Sequence, residues 1–305
     1  MHADVNGLRI AYEVEGAETD PAILLIMGLG TQMTRWPRGL IDGLVDRGFR
    51  VIRFDNRDVG LSTRLDDAGA PDLMAVMSAM LTGGSTPVAY DLSDMAADAV
   101  GLLDALEIDR AHVVGGSMGG MIAQIIAATY PERVLSLTLI MSSSGNPALP
   151  RASDAVLAML AGPRPDPADE AAIIDRVVIG AELMGSPGYP VDPAVRRAAA
   201  VEDYRRGYYP AGIARHTAAI VASGDRRPLL ARITAPTVVI HGTDDPLVPI
   251  EAGRDTAANV PGARLIELPG MGHDLPDELV PDIVAAIIQV ATRATMPVSP
   301  PGELS

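Results

Sequence analysis

The stretch His112 to Ala123, HVVGGSMGGMIA, decides how this chain is read. A β-branched apolar run enters four glycines, and one serine stands in their middle. Gly115-Gly116-Ser117-Met118-Gly119 fits the pattern G-x-S-x-G. In a glycine-rich chain so short a pattern gains meaning only from its context. AHVVGG before it reads as a strand, and MGGMIAQIIAATY after it as a helix stopped by Pro131. A strand that runs straight into a helix must turn sharply, and small neighbours let the two backbones approach. Ser117 is then held on a strained turn with its hydroxyl exposed. The N-terminus of the following helix favours negative charge beside it.

The same grammar extends in both directions. Asn6-Gly7 between ADV and LRIAYEV suits a type I′ hairpin turn. AILLIM (Ala22 to Met27) is a continuous apolar run, as expected of a strand buried on both faces. RVIRFD (Arg50 to Asp55), VLSLTLIMSS, PTVVIHG and ARLIELPG read as further strands. Helical patterns cover Gly39 to Arg47, Leu92 to Ile108 and a final stretch through Ile283 to Ala291. Such alternation predicts an α/β fold, a mainly parallel sheet with helices on both faces.

One segment breaks the alternation. From Asn146 to Pro228 no buried strand is evident. AAIIDRVVIGAELM and AVRRAAAVEDYRRG are helical, with Pro-rich joints GPRPDP and GSPGYP. We expect residues 1–145 and 229–295 to form the core and 146–228 a helical cap over the carboxyl end of the sheet. The tail MPVSPPGELS, 296–305, is expected to be disordered. In LMAVMSAML, Met74 and Met77 are expected to fill core or line a pocket. No internal repeat is visible.

Composition excludes several classes of function. The 305 residues carry a formal charge of −15, which argues against nucleic acid and anionic membrane surfaces as partners. With no cysteine there is no disulfide, thiolate–metal site or cysteine nucleophile. All 24 basic residues are arginine, so phosphate-binding and Schiff-base lysines are absent. No apolar run approaches membrane-span length. The start MHADVNGLRI lacks a signal-peptide pattern, which leaves a cytoplasmic location as the default.

A serine hydroxyl is a poor nucleophile until a base takes its proton. Five histidines are available: His2, His112, His216, His241 and His273. His2 is terminal, His112 begins the strand before the serine, His241 ends another strand, and His216 lies in the cap segment. His273, in LPGMGHDLP, follows the last strand on a loop at the carboxyl edge and is the candidate base. An acid should hold its ring in the right tautomer. HGTDDPLVP offers Asp244 and Asp245, whose side chains point apart on an extended segment. Asp245 precedes Pro246, which biases it to an extended conformation, and is preferred. The loop SSSGN after VLSLTLIMSS holds no carboxylate. The chain order Ser117, Asp245, His273 matches nucleophile, acid and base. The backbone N–H groups of Met118 and Leu29 are the candidate oxyanion donors. Gly28 and Gly30 around Leu29 equally fit an ordinary flexible turn. Tyr189, Tyr204, Tyr208 and Tyr209 could line a pocket with His216 as a polar contact, or simply pack the cap.

LLIMGLGTQMTRWP, RVIRFDNRDVGLST, AHVVGGSMGGMIAQ, HGTDDPLVP and PGMGH together resemble the α/β-hydrolase superfamily over nearly the whole chain. More narrowly they resemble the bacterial esterase group of aclacinomycin methylesterase and the mycobacterial LipG-type lipase/esterases. The resemblance implies the α/β-hydrolase fold. It places the acid of D-x-x-x-P at Asp245, four residues before Pro249, and the second oxyanion amide at Leu29. Many relatives carry His-Gly after the third strand, where this chain has Met27-Gly28. Asp55-Asn56-Arg57-Asp58-Val59-Gly60 also matches and reads as structural turn chemistry. The expectation is a serine carboxylesterase acting on a small-molecule ester, with no metal or organic cofactor. Lactone, C–C bond and perhydrolase chemistry use the same three residues. A small-molecule binding protein with little turnover is the reading from another class. Oligomeric state is not legible.

Overall fold

The structure is a computed structural model and describes residues 1–163, 165–166 and 168–295. The expected disordered tail, 296–305, lies outside the described residues. The chain opens with the hairpin of β1 (His2–Val5) and β2 (Leu8–Glu15), with positive φ at both Asn6 and Gly7, as a type I′ turn requires. Then follow β3 (Ala22–Ile26), α1 (Arg38–Val45), β4 (Arg50–Phe54), α2 (Leu73–Thr82), α3 (Leu92–Ala105), β5 (Ala111–Gly116), α4 (Met118–Thr129) and β6 (Val134–Ile140). Among the described residues five helices separate β6 from the next strand: α5 (Asp154–Ala161), α6 (Glu170–Met184), α7 (Pro193–Gly207), α8 (Pro210–Ser223) and the short α9 (Arg227–Leu230). The chain closes with β7 (Thr237–Gly242), α10 (Ile250–Asn259), β8 (Arg264–Leu268) and α11 (Val280–Thr295).

The eight strands among the described residues form one sheet in the order β1-β2-β4-β3-β5-β6-β7-β8. β2 pairs antiparallel with β1 and β4, and the remaining pairs are parallel. Side chains alternate across the sheet into two cores. Leu24 and Ile26 of β3 join Val113 and Leu139 in the core under α3 and α4. Ile23 and Leu25 join Val114 and Ile140 in the core under α1 and α11. This period of two, doubled because both faces are covered, explains the uninterrupted apolar run AILLI. Among the described residues no helix is long and apolar enough to cross a membrane.

The sheet carries the expected parallel order, with shifts at the edges of elements. α1 ends at Val45 rather than Arg47, and α3 at Ala105, short of Ile108. α5 and α8 are helices that the sequence had not marked individually. The methionines of α2 differ from expectation. Met74 and Met77 fill no core; they are 75% and 48% exposed. α2 is apolar on several sides but only Val76 is buried, so most of its apolar surface stays outward.

Candidate active site

Four segments at the carboxyl ends of parallel strands converge, the usual place for a site in such a sheet. Ser117 follows β5, Leu29 follows β3, Asp245 follows β7 and His273 follows β8. Ser117 has φ 54° and ψ −120°, a conformation an L-residue adopts only under constraint. Its N–H donates to Ile140 C=O at 2.9 Å, and its C=O accepts from Ser142 Oγ at 2.8 Å. The neighbouring glycines serve contact. A Cβ at Gly119 would lie 2.0 Å from Ile26 O, and one at Gly115 2.3 Å from Gly119 O. Both obstacles are backbone, so β3, β5 and α4 touch directly only because no side chain intervenes.

His273 joins the other two groups. Its Nδ1 is 2.7 Å from Asp245 Oδ2 and its Nε2 is 3.0 Å from Ser117 Oγ. A carboxylate only accepts, which assigns the ring proton to Nδ1 and turns a bare Nε2 toward the serine. Asp245 is buried, and its Oδ1 accepts the N–H groups of Leu247 and Val248 at 2.9 and 2.8 Å. Asp244 points elsewhere: it is exposed and accepts from Thr243 Oγ1 and Gly270 N–H. Met118 is the first residue of α4, where an N–H has no partner within the helix. Leu29 is the second residue of a turn closed by Thr31 N–H on Gly28 C=O at 3.2 Å. Gly28 is more than a flexible link, because a Cβ there would stand 3.1 Å from Ser117 Cβ.

The other histidines are occupied. His2 lies beside Arg9 at the surface. His112 is buried with its Nδ1 2.8 Å from Ser136 Oγ, and burial pushes its pKa down to about 4. His241 donates from Nε2 to Val248 C=O at 2.7 Å, and so braces the turn that grips Asp245. Its Nδ1 is buried with no hydrogen-bond partner among the described residues. His216 is no open pocket contact. It is completely buried on α8, between Gly30 N–H and Arg57 C=O. The tyrosines are engaged in packing: Tyr204 stacks on Tyr208, Tyr209 bonds Asp66 and Arg215, and Tyr189 reaches Pro269 C=O.

Two supports hold the site, and only the second had a signal in the sequence. Ser186, just beyond α6, accepts Gly272 N–H at 2.8 Å and donates to Asp274. Met184 C=O accepts His273 N–H at 2.7 Å, so the end of α6 holds the histidine loop. The segment Asp55 to Gly60, read from the sequence as structural turn chemistry, is the second, and its partners lie far along the chain. Asp55 pairs with Arg206 of α7 at 2.8 Å and accepts Met33 N–H. The Asn56 amide donates to Met27 C=O, and Arg57 pairs with Asp98. Asp58 pairs with Arg215 of α8 at 2.7 Å and accepts from Tyr90. Burial works to raise the Asp58 carboxyl; the bonds from Arg215, Leu65 and Tyr90 overcome it and hold it below the usual range.

This sheet, with its serine at the strand-to-helix turn, defines a class. The family model for the alpha/beta hydrolase fold matches residues 21–278, and the chain belongs to that family. Rhodomycin D methylesterase DnrP of Streptomyces peucetius is 30% identical over 299 residues, 92% of this chain and 94% of its own length. A 2-hydroxy-6-oxononadienedioate/2-hydroxy-6-oxononatrienedioate hydrolase of Burkholderia vietnamiensis is 29% identical over 282 residues, 88% of this chain and 86% of that one. Among solved structures, a meta-cleavage product hydrolase from Pseudomonas fluorescens superposes with a TM-score of 0.75 at 19% identity, covering 97% of this chain and 98% of that one. The kinship with methylesterases supports the broad class of hydrolase.

Proposed function

We infer that the protein is a serine esterase that cleaves a small to medium apolar carboxylic ester through an acyl-enzyme. The observation that carries this reading is His273 bridging Asp245 and Ser117 at 2.7 and 3.0 Å. Ser117 Oγ attacks the ester carbonyl carbon while His273 Nε2 takes its proton. Asp245 orients the ring and stabilises its positive form. The tetrahedral oxyanion receives the N–H groups of Met118 and Leu29. As it collapses, His273 returns the proton to the departing alcohol. Water then gives a proton to Nε2 and attacks the acyl carbon, and as this intermediate collapses Nε2 passes the proton to Ser117 Oγ, which releases the acid and restores the serine. The segment 146–228 is read as the cap that shapes the substrate site. A methylesterase among the relatives supports a small alcohol as leaving group.

The test is hydrolysis of p-nitrophenyl acetate, butyrate and octanoate by wild type and Ser117→Ala. Wild type is expected to turn over with an acyl-length preference. The variant, folded by circular dichroism, is expected to lose at least about 10³-fold in kcat. Equal activity in both would reject the serine mechanism. No turnover by a folded wild type would reject the esterase reading.

A further inference from the structure

In the proposed mechanism the turn after β3 has to present the Leu29 N–H, so where that turn sits matters. Thr31 N–H closes it on Gly28 C=O, with Leu29 and Gly30 at its centre. Gly30 has φ 62°, which suits the third position of a type II turn. A glycine there adopts this conformation without the strain a side chain would bring. A side chain is excluded at this position, since a Cβ would lie 2.6 Å from Ile213 Cγ1 of α8. The close approach lets a polar group outside the turn anchor it as well.

α8 supplies that group. The Gly30 N–H donates to His216 Nδ1 at 3.2 Å. The other end of the same peptide is held too, because Leu29 C=O accepts from Thr31 Oγ1 at 3.1 Å. His216 Nε2 is 2.8 Å from Arg57 C=O. A carbonyl accepts only, so the proton sits on Nε2 and Nδ1 is left as an acceptor. The ring is fully buried and lies edge-on to Tyr90 at 6.2 Å. Burial pushes its pKa down to about 4, which keeps the ring neutral near pH 7. Arg57 is itself anchored on Asp98 at 2.6 Å.

We propose that His216 is a positioning residue for the oxyanion turn, anchoring Gly30 N–H so that the turn is held where the preceding residue, Leu29, offers its N–H to the tetrahedral intermediate. The proposal rests on the serine-esterase reading. It places one working part of the catalytic centre on a helix between β6 and β7, outside the strand-end loops.

Two substitutions separate the two ends of the ring. In His216→Asn, Oδ1 takes the place of Nδ1 and still accepts from Gly30 N–H. In His216→Gln, Nε2 keeps the donor to Arg57 C=O, and Gly30 N–H loses its acceptor. With p-nitrophenyl acetate, His216→Gln is expected to lower kcat about 10- to 100-fold, with KM within about two-fold. A trifluoromethyl ketone, which forms the tetrahedral adduct, is expected to weaken by the same factor. His216→Asn is expected to stay within about three-fold of wild type in both. Unchanged kcat in folded His216→Gln, or equal loss in both variants, overturns the proposal. Should either variant fail to fold, the histidine tautomer is read by ¹⁵N NMR on wild type. A bare Nδ1 with a slowly exchanging Gly30 amide supports the proposal, and an Nδ1–H tautomer overturns it. Ser117→Ala is run alongside. Absence of wild-type turnover then fails the esterase reading alone, and the tautomer measurement decides the turn.

Discussion

At the scale of single residues, two adjacent aspartates have opposite fates. Asp245 is buried with three donors around its carboxylate, and Asp244 is exposed on the histidine loop's Gly270 N–H. Asp245→Asn cannot keep Nδ1 of His273 as the donor against a pure acceptor, so the ring loses its productive tautomer. We expect kcat to fall about 10³- to 10⁴-fold. Asp244→Asn retains an oxygen for Gly270 N–H, and its kcat is expected within about three-fold of wild type. Steady-state kinetics on one ester check both, and the reverse ranking would reassign the acid. The preference for Asp245 was legible from Pro246, since the restriction before proline is local. The brace from His241 to Val248 C=O was not, because it depends on which way a turn four residues long folds back.

At the scale of elements, contact between backbones governs the site more than side-chain packing does. α4 crosses the end of β3 so closely that Gly119 faces the Ile26 carbonyl. Gly119→Ala would put a methyl 2.0 Å from that oxygen, and backbone on both sides cannot yield by rotating a side chain. The expected loss is about 3 kcal/mol or more in urea unfolding. Gly84→Ala serves as the control, since its nearest neighbour is 3.7 Å away, and it is expected to change stability by less than about 0.5 kcal/mol. Similar midpoints for the two variants would contradict the close-approach argument. The strands and α4 were readable from apolar periodicity because each is buried on a fixed face. α2 was misread for the converse reason. Its apolar residues face in several directions, and periodicity cannot say which side finds a partner.

At the scale of the whole molecule, the helices between β6 and β7 are fastened to the core through buried polar bonds. Arg215 of α8 meets Asp58, Arg206 of α7 meets Asp55, and Met184 at the end of α6 meets His273 N–H. Both partners of the Arg215–Asp58 pair are almost wholly buried, with side chains 3% and 0% exposed. Removing one partner strands a charge away from water. Arg215→Met is expected to cost about 3–5 kcal/mol in urea unfolding. Asp58→Asn combined with Arg215→Met is expected to recover part of that loss, because no unpaired carboxylate is left. A double variant less stable than Arg215→Met would refute the pairing argument.

The sequence by itself determined the alternation of strands and helices, the serine at the strand-to-helix turn and the placing of Ser117, Asp245 and His273 after their strands. Those features are local: apolar periodicity, glycine and proline chemistry, and position after a strand all act within a few residues. Only the tertiary structure decided what the remaining polar residues do. His216 meets Gly30 across 186 positions and Arg215 meets Asp58 across 157. Ser186 meets Gly272 across 86. Nothing in the neighbourhood of either partner encodes such a meeting. It arises when α6, α7 and α8 meet the loops that follow β8, β4 and β3, and buried donors must find acceptors there or forfeit their hydrogen bonds to water.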